Sequence, residues 1–161
     1  VTRKTGPNGL ALIPHVEGTV LHVYLDNVGN PTVGIGHLVL ASDNLRVGDT
    51  ISPEQARAFL QHDLAGAEAA VNGCGLDLTQ NQFDALVDFT FQEGAGNLGV
   101  LVEDADRIPA RIPPLFSHWM RTGNQHPRGV RIRRALDRDL FLAPDGLMPD
   151  GWLSAHDSEF Q

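Results

Sequence analysis

Apolar positions along the first forty residues change from helical to strand spacing. In Gly9-Leu-Ala-Leu-Ile-Pro-His-Val-Glu-Gly18, Leu10, Ile13 and Val16, with Leu12 beside them, recur at helical spacing until Gly18 ends the run. The pattern predicts a short helix closing at Glu17. Pro14 complicates it, because a proline inside a helix removes one hydrogen bond and crowds the carbonyl of Leu10, so the helix should either kink or begin late. Val20 to Leu25 is then rich in β-formers, Asp26-Asn-Val-Gly-Asn-Pro31 supplies turn residues, and Thr32 to Leu40 is again apolar and punctuated by glycine. A hairpin directly after the helix is expected.

Helical spacing returns at Ser52-Pro-Glu-Gln55, which combines an N-cap serine, proline at the first helical position and a capping-box glutamine. That helix should run to about Asn72 with Ala56, Phe59, Leu60, Ala67 and Val71 inward. Asp63 falls on the same stripe, where an unpaired carboxylate is costly, and so requires a partner. Thr79-Gln-Asn-Gln82 is a second capping box, opening a helix with Phe83, Leu86, Val87 and Phe91 inward that stops at Gly94. The pattern weakens beyond it. Asp104 to Pro114 reads as irregular, Leu115 to Met120 as a helical turn or two, Arg131 to Leu142 as a basic amphipathic helix, and the tail from Ala143 as acidic turns.

These elements make an α+β fold: an N-terminal hairpin lobe over about 10–51, a linking helix over about 52–73 and a helical lobe over about 78–161, within one domain of 161 residues. A cleft between two lobes is a natural binding site.

Composition narrows the function classes. Apolar residues form 42% of the chain and charged ones 20%, an ordinary globular balance. A net charge of −8 disfavours nonspecific nucleic-acid binding and long-range attraction to anionic surfaces, so any anionic polymer must be gripped locally. Cys74 is the only cysteine, which excludes an intrachain disulfide and reads as a small half-buried linker residue. No run approaches the ~18 apolar residues of a membrane span, and Val1-Thr-Arg-Lys-Thr-Gly-Pro lacks the apolar segment of a signal peptide. A first residue other than Met points to a domain cut from a longer protein. A monomer is expected.

Glu17 at a helix end, Asp26 at the start of the hairpin turn and Thr32 at the head of the returning strand lie nine and six positions apart, and folding the hairpin back over the helix would gather them. Cleaving a glycosidic bond needs one carboxyl group to protonate the leaving oxygen and a second group to assist a water or stabilise positive charge on the sugar. Taken singly, each residue has a plainer reading: a helix-end acid, a turn-forming aspartate, a β-forming threonine. His15-Val-Glu17 imitates a zinc-deaminase motif whose cysteine pair one cysteine cannot supply, and Gly34-x-Gly36 begins a dinucleotide fingerprint whose third position is Val39. Neither a metal nor a cofactor is expected.

The run Glu17-Gly-Thr-Val-Leu-His-Val-Tyr24-Leu-Asp26-Asn-Val-Gly-Asn-Pro-Thr32-Val-Gly34-Ile-Gly36-His37 resembles the signature of phage-type lysozymes, the T4-like and lambdoid endolysins of glycoside hydrolase family 24. Glu-Gly at a helix end, Tyr-x-Asp before a Gly-containing turn and Thr-x-Gly-x-Gly-His all stand at the family's spacing. The likeness continues through the Ser52 helix, Leu78-Thr-Gln-Asn-Gln-Phe-Asp-Ala-Leu86, Phe89-Thr-Phe91 and Arg133-Arg-Ala-x-Asp-Arg-x-Leu-Phe141, about two thirds of the chain.

The resemblance implies a lysozyme-like fold and a glycosidase, an N-acetylmuramidase that hydrolyses the β-1,4 bond between N-acetylmuramic acid and N-acetylglucosamine in bacterial peptidoglycan. It implies a general-acid role for Glu17 and a water-positioning or charge-stabilising role for Asp26 and Thr32. A general acid working near neutral pH needs a buried carboxyl, offset by any nearby arginine, and the arginines of 131–134 are the candidate neighbours. His37 matches the family's structural histidine, with Asp63 its expected mate. Leu38, Phe91, Gln92 and Trp119 match positions that contact sugar, although core packing explains Phe91 and Trp119 equally well.

The chain also departs from the family: Gly99 to Pro114 lacks the usual Ser/Thr-rich helix, Val102-Glu-Asp-Ala-Asp106 is acidic, and Lys4 is the only lysine. Three readings follow. The first is an active muramidase, made in the cytoplasm and acting on the wall in the periplasm, either for phage lysis or as the antibacterial toxin domain of an injected effector or bacteriocin. In the toxin case an immunity protein or a delivery apparatus would be its partner. The second is an inactive peptidoglycan-binding module. The third is a hydrolase of another β-linked amino-sugar polymer.

Overall fold

The computed structural model describes residues 2–121 and 127–159. Val1, on which the expectation of an excised domain rests, and the last two residues of the acidic tail lie outside the described residues. The chain divides into two compact units, one of Ile13–Ala65 and one of Val1–Leu12 with Gly66–Gln161.

The smaller unit holds the second half of helix α1 (Pro7–Glu17), strands β1 (Val20–Leu25), β2 (Pro31–Gly34) and β3 (His37–Leu38), and helix α2 (Pro53–Asp63). The strands form one antiparallel sheet in the order β1-β2-β3, with Tyr24 opposite Thr32 and Val33 opposite His37. A simple hairpin was expected; the returning run instead breaks into two strands. Gly34 and Gly36 turn it, both with positive φ (66° and 72°), a conformation that residues with a Cβ rarely adopt. Gly34 also lies close under α2, where a Cβ would stand 3.4 Å from Ala56 Cα. Val23, Val33, Ile51 and Ala56 form the core of this unit, with Val39, Leu45 and Phe59 packed against it.

Helix α1 begins at Pro7, earlier than its apolar spacing indicates. Its first turn is organised from another helix: Gly6 N–H and Gly9 N–H donate to the two carboxylate oxygens of Asp84 at 2.8 and 3.0 Å. Sequence spacing cannot reveal a cap contributed from 75 residues away. Pro14 sits inside α1, which continues to Glu17, and the Gly18 N–H closes the end on the Pro14 carbonyl at 2.8 Å.

The expected linking helix is interrupted. Helix α2 ends at Asp63 and α3 (Ala65–Gly73) begins after Leu64, whose N–H reaches both Leu60 and His62 carbonyls. Gly66, in the first turn of α3, raises the cost of carrying one helix through this point. Both capping boxes are formed: Ser52 Oγ accepts from Gln55 N–H while Gln55 Oε1 accepts from Ser52 N–H, and Thr79 with Gln82 repeats the exchange.

The larger unit contains α3, α4 (Gln80–Glu93), α5 (Ala95–Asp104), α6 (Arg128–Leu142) and, among the described residues, 3-10 turns over Pro109–Arg111, Pro113–Trp119 and Trp152–Ser154. Helix α5 was not expected, because Gly96 and Gly99 dilute its pattern; Leu98, Leu101 and Val102 bury its inner face. Helix α6 covers the basic amphipathic run expected over Arg131 to Leu142 and starts three residues earlier. Arg133 and Arg134 are buried, and Arg134 is fully so. Cys74 is half-buried after α3, its thiol directed at the Ala70 carbonyl and raised in pKa by burial. Among the described residues no helix is long and apolar enough to cross a membrane.

Candidate active site

Asp26 and Thr32 meet through the turn between β1 and β2. Asp26 Oδ1 accepts from the backbone N–H groups of Val28 (3.0 Å) and Asn30 (2.8 Å), and Oδ2 accepts more weakly from the Asn30 amide (3.4 Å). The Asn30 N–H, supported by the other donors of the turn, holds the Asp26 carboxyl below its ordinary pKa despite some desolvation. Asp26 is therefore ionised at neutral pH. Thr32 is 4% exposed, and its hydroxyl donates to the Asn30 carbonyl at 3.1 Å. With its proton committed there, Thr32 Oγ1 can act only as an acceptor toward an incoming water.

Glu17 belongs to the same unit, at the C-terminal end of α1, and its side chain is exposed. The burial expected of a general acid is not provided by the protein alone. Of the candidate arginines, Arg133 forms a two-point pair with Asp88 (2.7 and 2.9 Å), and Arg134 contacts Asp137 (3.0 Å), Glu93 (3.5 Å) and Asp88 (3.6 Å) within the helical unit.

His37 lies between two carboxylates. Nδ1 faces Asp63 at 2.8 Å, Nε2 faces Asp43 at 3.0 Å, and the ring stacks on Phe59 at 4.1 Å between centroids. Burial alone would lower the His37 pKa, but the hydrogen bonds to Asp43 and Asp63 outweigh it and raise the value. Two carboxylate partners fit an imidazolium, in which both ring nitrogens donate.

The four residues matched to sugar contacts are divided between the units. Leu38 is exposed on β3. In the helical unit, Phe91 is half-buried on α4, Gln92 is exposed with its Oε1 accepting from Arg134 Nη2 at 2.8 Å, and Trp119 packs its edge against Phe89 at 5.3 Å. Among the described residues no group of three or more His, Cys, Asp or Glu could hold a metal ion.

The phage lysozyme family model matches residues 14–137, which include Glu17, Asp26, Thr32 and His37. The chain belongs to the phage lysozyme family. It is 32% identical to the endolysin of Salmonella phage P22 over 84% of this chain and 96% of that protein. A solved variant of P22 lysozyme matches with a TM-score of 0.76 at 28% identity, covering 88% of this chain and 99% of that one. The endolysin of Acyrthosiphon pisum secondary endosymbiont phage 1 is 42% identical over 53% of this chain, and the match spans 57% of that protein's length. The muramidase domain of SpmX from Asticaccaulis excentricus matches with a TM-score of 0.77 at 29% identity, covering 88% of this chain and 99% of that one. The fold is accordingly lysozyme-like.

Two residues of the site region escaped the sequence reading. Asn30 reads in the sequence as one turn residue among several, and nothing in the spacing singles out Asp43. Its Oδ2 also accepts the Leu40 N–H at 2.7 Å, reaching back across the 3-10 turn Ala41–Asp43 as the third-position residue of a capping box does.

Proposed function

We propose that this lysozyme-family chain is a peptidoglycan N-acetylmuramidase, cleaving the β-1,4 bond between N-acetylmuramic acid and N-acetylglucosamine. The observation that carries the reading is the presence, in the same compact unit as the exposed Glu17 carboxyl, of an ionised Asp26 tied through Asn30 to the acceptor Thr32.

In this mechanism Glu17 enters as the acid and gives its proton to the glycosidic oxygen as the bond from that oxygen to the anomeric carbon breaks. A water accepted by Thr32 Oγ1 and Asp26 attacks the anomeric carbon and passes a proton to Asp26, so the leaving sugar, the new hydroxyl and both carboxyls balance. Because Glu17 is exposed, a bound sugar chain supplies the desolvation its acid role requires. Sugar contacts are assigned to Leu38 and, in the helical unit, to Phe91, Gln92 and Trp119. Gln92 is suited to an acetamido carbonyl, since its own oxygen is engaged by Arg134 and its NH2 group remains to donate. His37 and Asp63 are assigned a structural role, pinning β3 to the end of α2.

Action on the bacterial wall follows from this reading. The net charge of −8 favours delivery to the wall by a lysis apparatus or an injected carrier over capture by long-range attraction. A producing cell that survives such a toxin needs an immunity protein. The test is release of disaccharide muropeptides with new reducing ends from purified sacculi, identified by mass, for the intact chain and for Glu17→Gln. Release by the intact chain and none by the variant is expected. Binding of both to sacculi with cleavage by neither would replace the enzyme with a binding module.

A further inference from the structure

Asn30 is an exposed residue on which the bonds of Asp26 and Thr32 converge. Its backbone N–H donates to Asp26 Oδ1 (2.8 Å). Its carbonyl accepts both the Asp26 N–H (2.9 Å) and the Thr32 hydroxyl (3.1 Å), and its amide approaches Asp26 Oδ2 (3.4 Å). Pro31 follows it, restricting the Asn30 backbone to extended conformations before any substrate binds. We propose that Asn30 is a positioning residue: its backbone locks Oδ1 of Asp26 and the proton of Thr32, and its side-chain amide aims Oδ2 at the attacking water.

The two carboxylate oxygens are treated differently. Oδ1 is held by two backbone donors at 3.0 Å or less and has little left for a water. Oδ2 has only the long amide contact, so it is the oxygen free to take a proton, and the amide fixes its plane. Being exposed, the Asn30 side chain fills no core space, so truncating it leaves no cavity and a loss of rate has no packing explanation.

This inference rests on the reading of Asp26 as the base and Thr32 as the water-holding hydroxyl. The test compares Asn30→Ala and the near-isosteric Asn30→Asp with Asn27→Ala, a control in the same exposed turn, and with Asp26→Asn. Sacculus cleavage is followed as kcat and KM against pH, and the Asp26 carboxyl is titrated directly by carbon-13 NMR. Asn30→Ala should lower kcat about tenfold with KM within about twofold, and move the acid limb of kcat and the Asp26 titration upward together. Asn30→Asp should move both further, since a second carboxylate then faces Asp26. Asn27→Ala should match the parent.

Parental kcat and an unmoved Asp26 titration in both Asn30 variants would overturn the role of Asn30 while leaving the site reading intact. So would a lowered melting temperature in both with the titration unmoved. Parental kcat in Asp26→Asn would instead remove the base assignment, and this inference with it.

Discussion

The turn that joins Asp26 to Thr32 and the charge network that joins α4 to α6 are both polar, but they are built on opposite plans. In the turn Asp26 is half-buried and Asn30 exposed, and each of its bonds spans two to four residues. The network is buried, and the Arg133–Asp88 bonds span 45 residues. A local, exposed turn can form early and keep its carboxylate available to solvent and substrate. The buried network can form only once two distant helices have docked, and its role is to fix how they dock. The proposed catalytic chemistry and the structural specificity thus fall to polar groups that differ in sequence range and burial.

The buried side of the comparison should yield the largest effect. Asp88 accepts from Arg133 and lies 3.6 Å from Arg134; burial would raise its pKa, but Arg133 above all holds it ionised. Burial pushes Asp137 well above the ordinary carboxylate range, with Arg134 opposing and Asp88 adding to the rise. Asp88→Ala strips Arg133 and Arg134 of this carboxylate and should cost about 3–5 kcal/mol in urea unfolding. A loss below about 1 kcal/mol would erase the distinction drawn between the two regions.

His37 tests a middle case, a buried group with partners close in sequence and on α2. Its raised pKa means that its ion-pair stabilisation is fully present below the unfolded value of about 6.5 and is lost as pH rises through the folded value. On the acid side, the pairing weakens as Asp43, itself lowered by His37, takes up its proton. His37→Gln should therefore cost about 2 kcal/mol near pH 6, with the deficit shrinking toward alkaline pH. A deficit that grows with pH would contradict the charged pairing.

The smallest effect should come from an exposed local cap. Ser52→Ala removes the acceptor for Gln55 N–H and should cost about 1 kcal/mol by thermal unfolding.

The same contrast explains what could be read from the sequence. The capping boxes at Ser52 and Thr79 and the turn chemistry of Asp26 to Pro31 are contiguous signals, and their bonds are short-range. The early start of α1 depends on Asp84, and the burial of Arg133 and Arg134 depends on Asp88 and Asp137, partners too distant in sequence for local periodicity to reveal. Helix α5 was hidden by two glycines whose cost is offset by burying Leu98, Leu101 and Val102. At the site, the residue types of Asp26 and Thr32 stood out, but the convergence of their bonds on Asn30 is a property of three-dimensional geometry.

The placement of the chain's first described residues has a bearing on biosynthesis. The Arg3 backbone exchanges two hydrogen bonds with the Asn72 side-chain amide, Thr5 donates twice to Glu68, and the Gly6 and Gly9 N–H groups donate to Asp84. A ribosome delivers these residues before their partners, which emerge some sixty to eighty residues later. The segment must therefore wait for partners that follow residues 13–65, a stretch that carries a buried cluster of its own at Val23, Val33, Ile51 and Ala56. Vectorial synthesis thus favours closure of the sheet unit before the helical one, and the opening residues act as the last stitch of the unit that they begin.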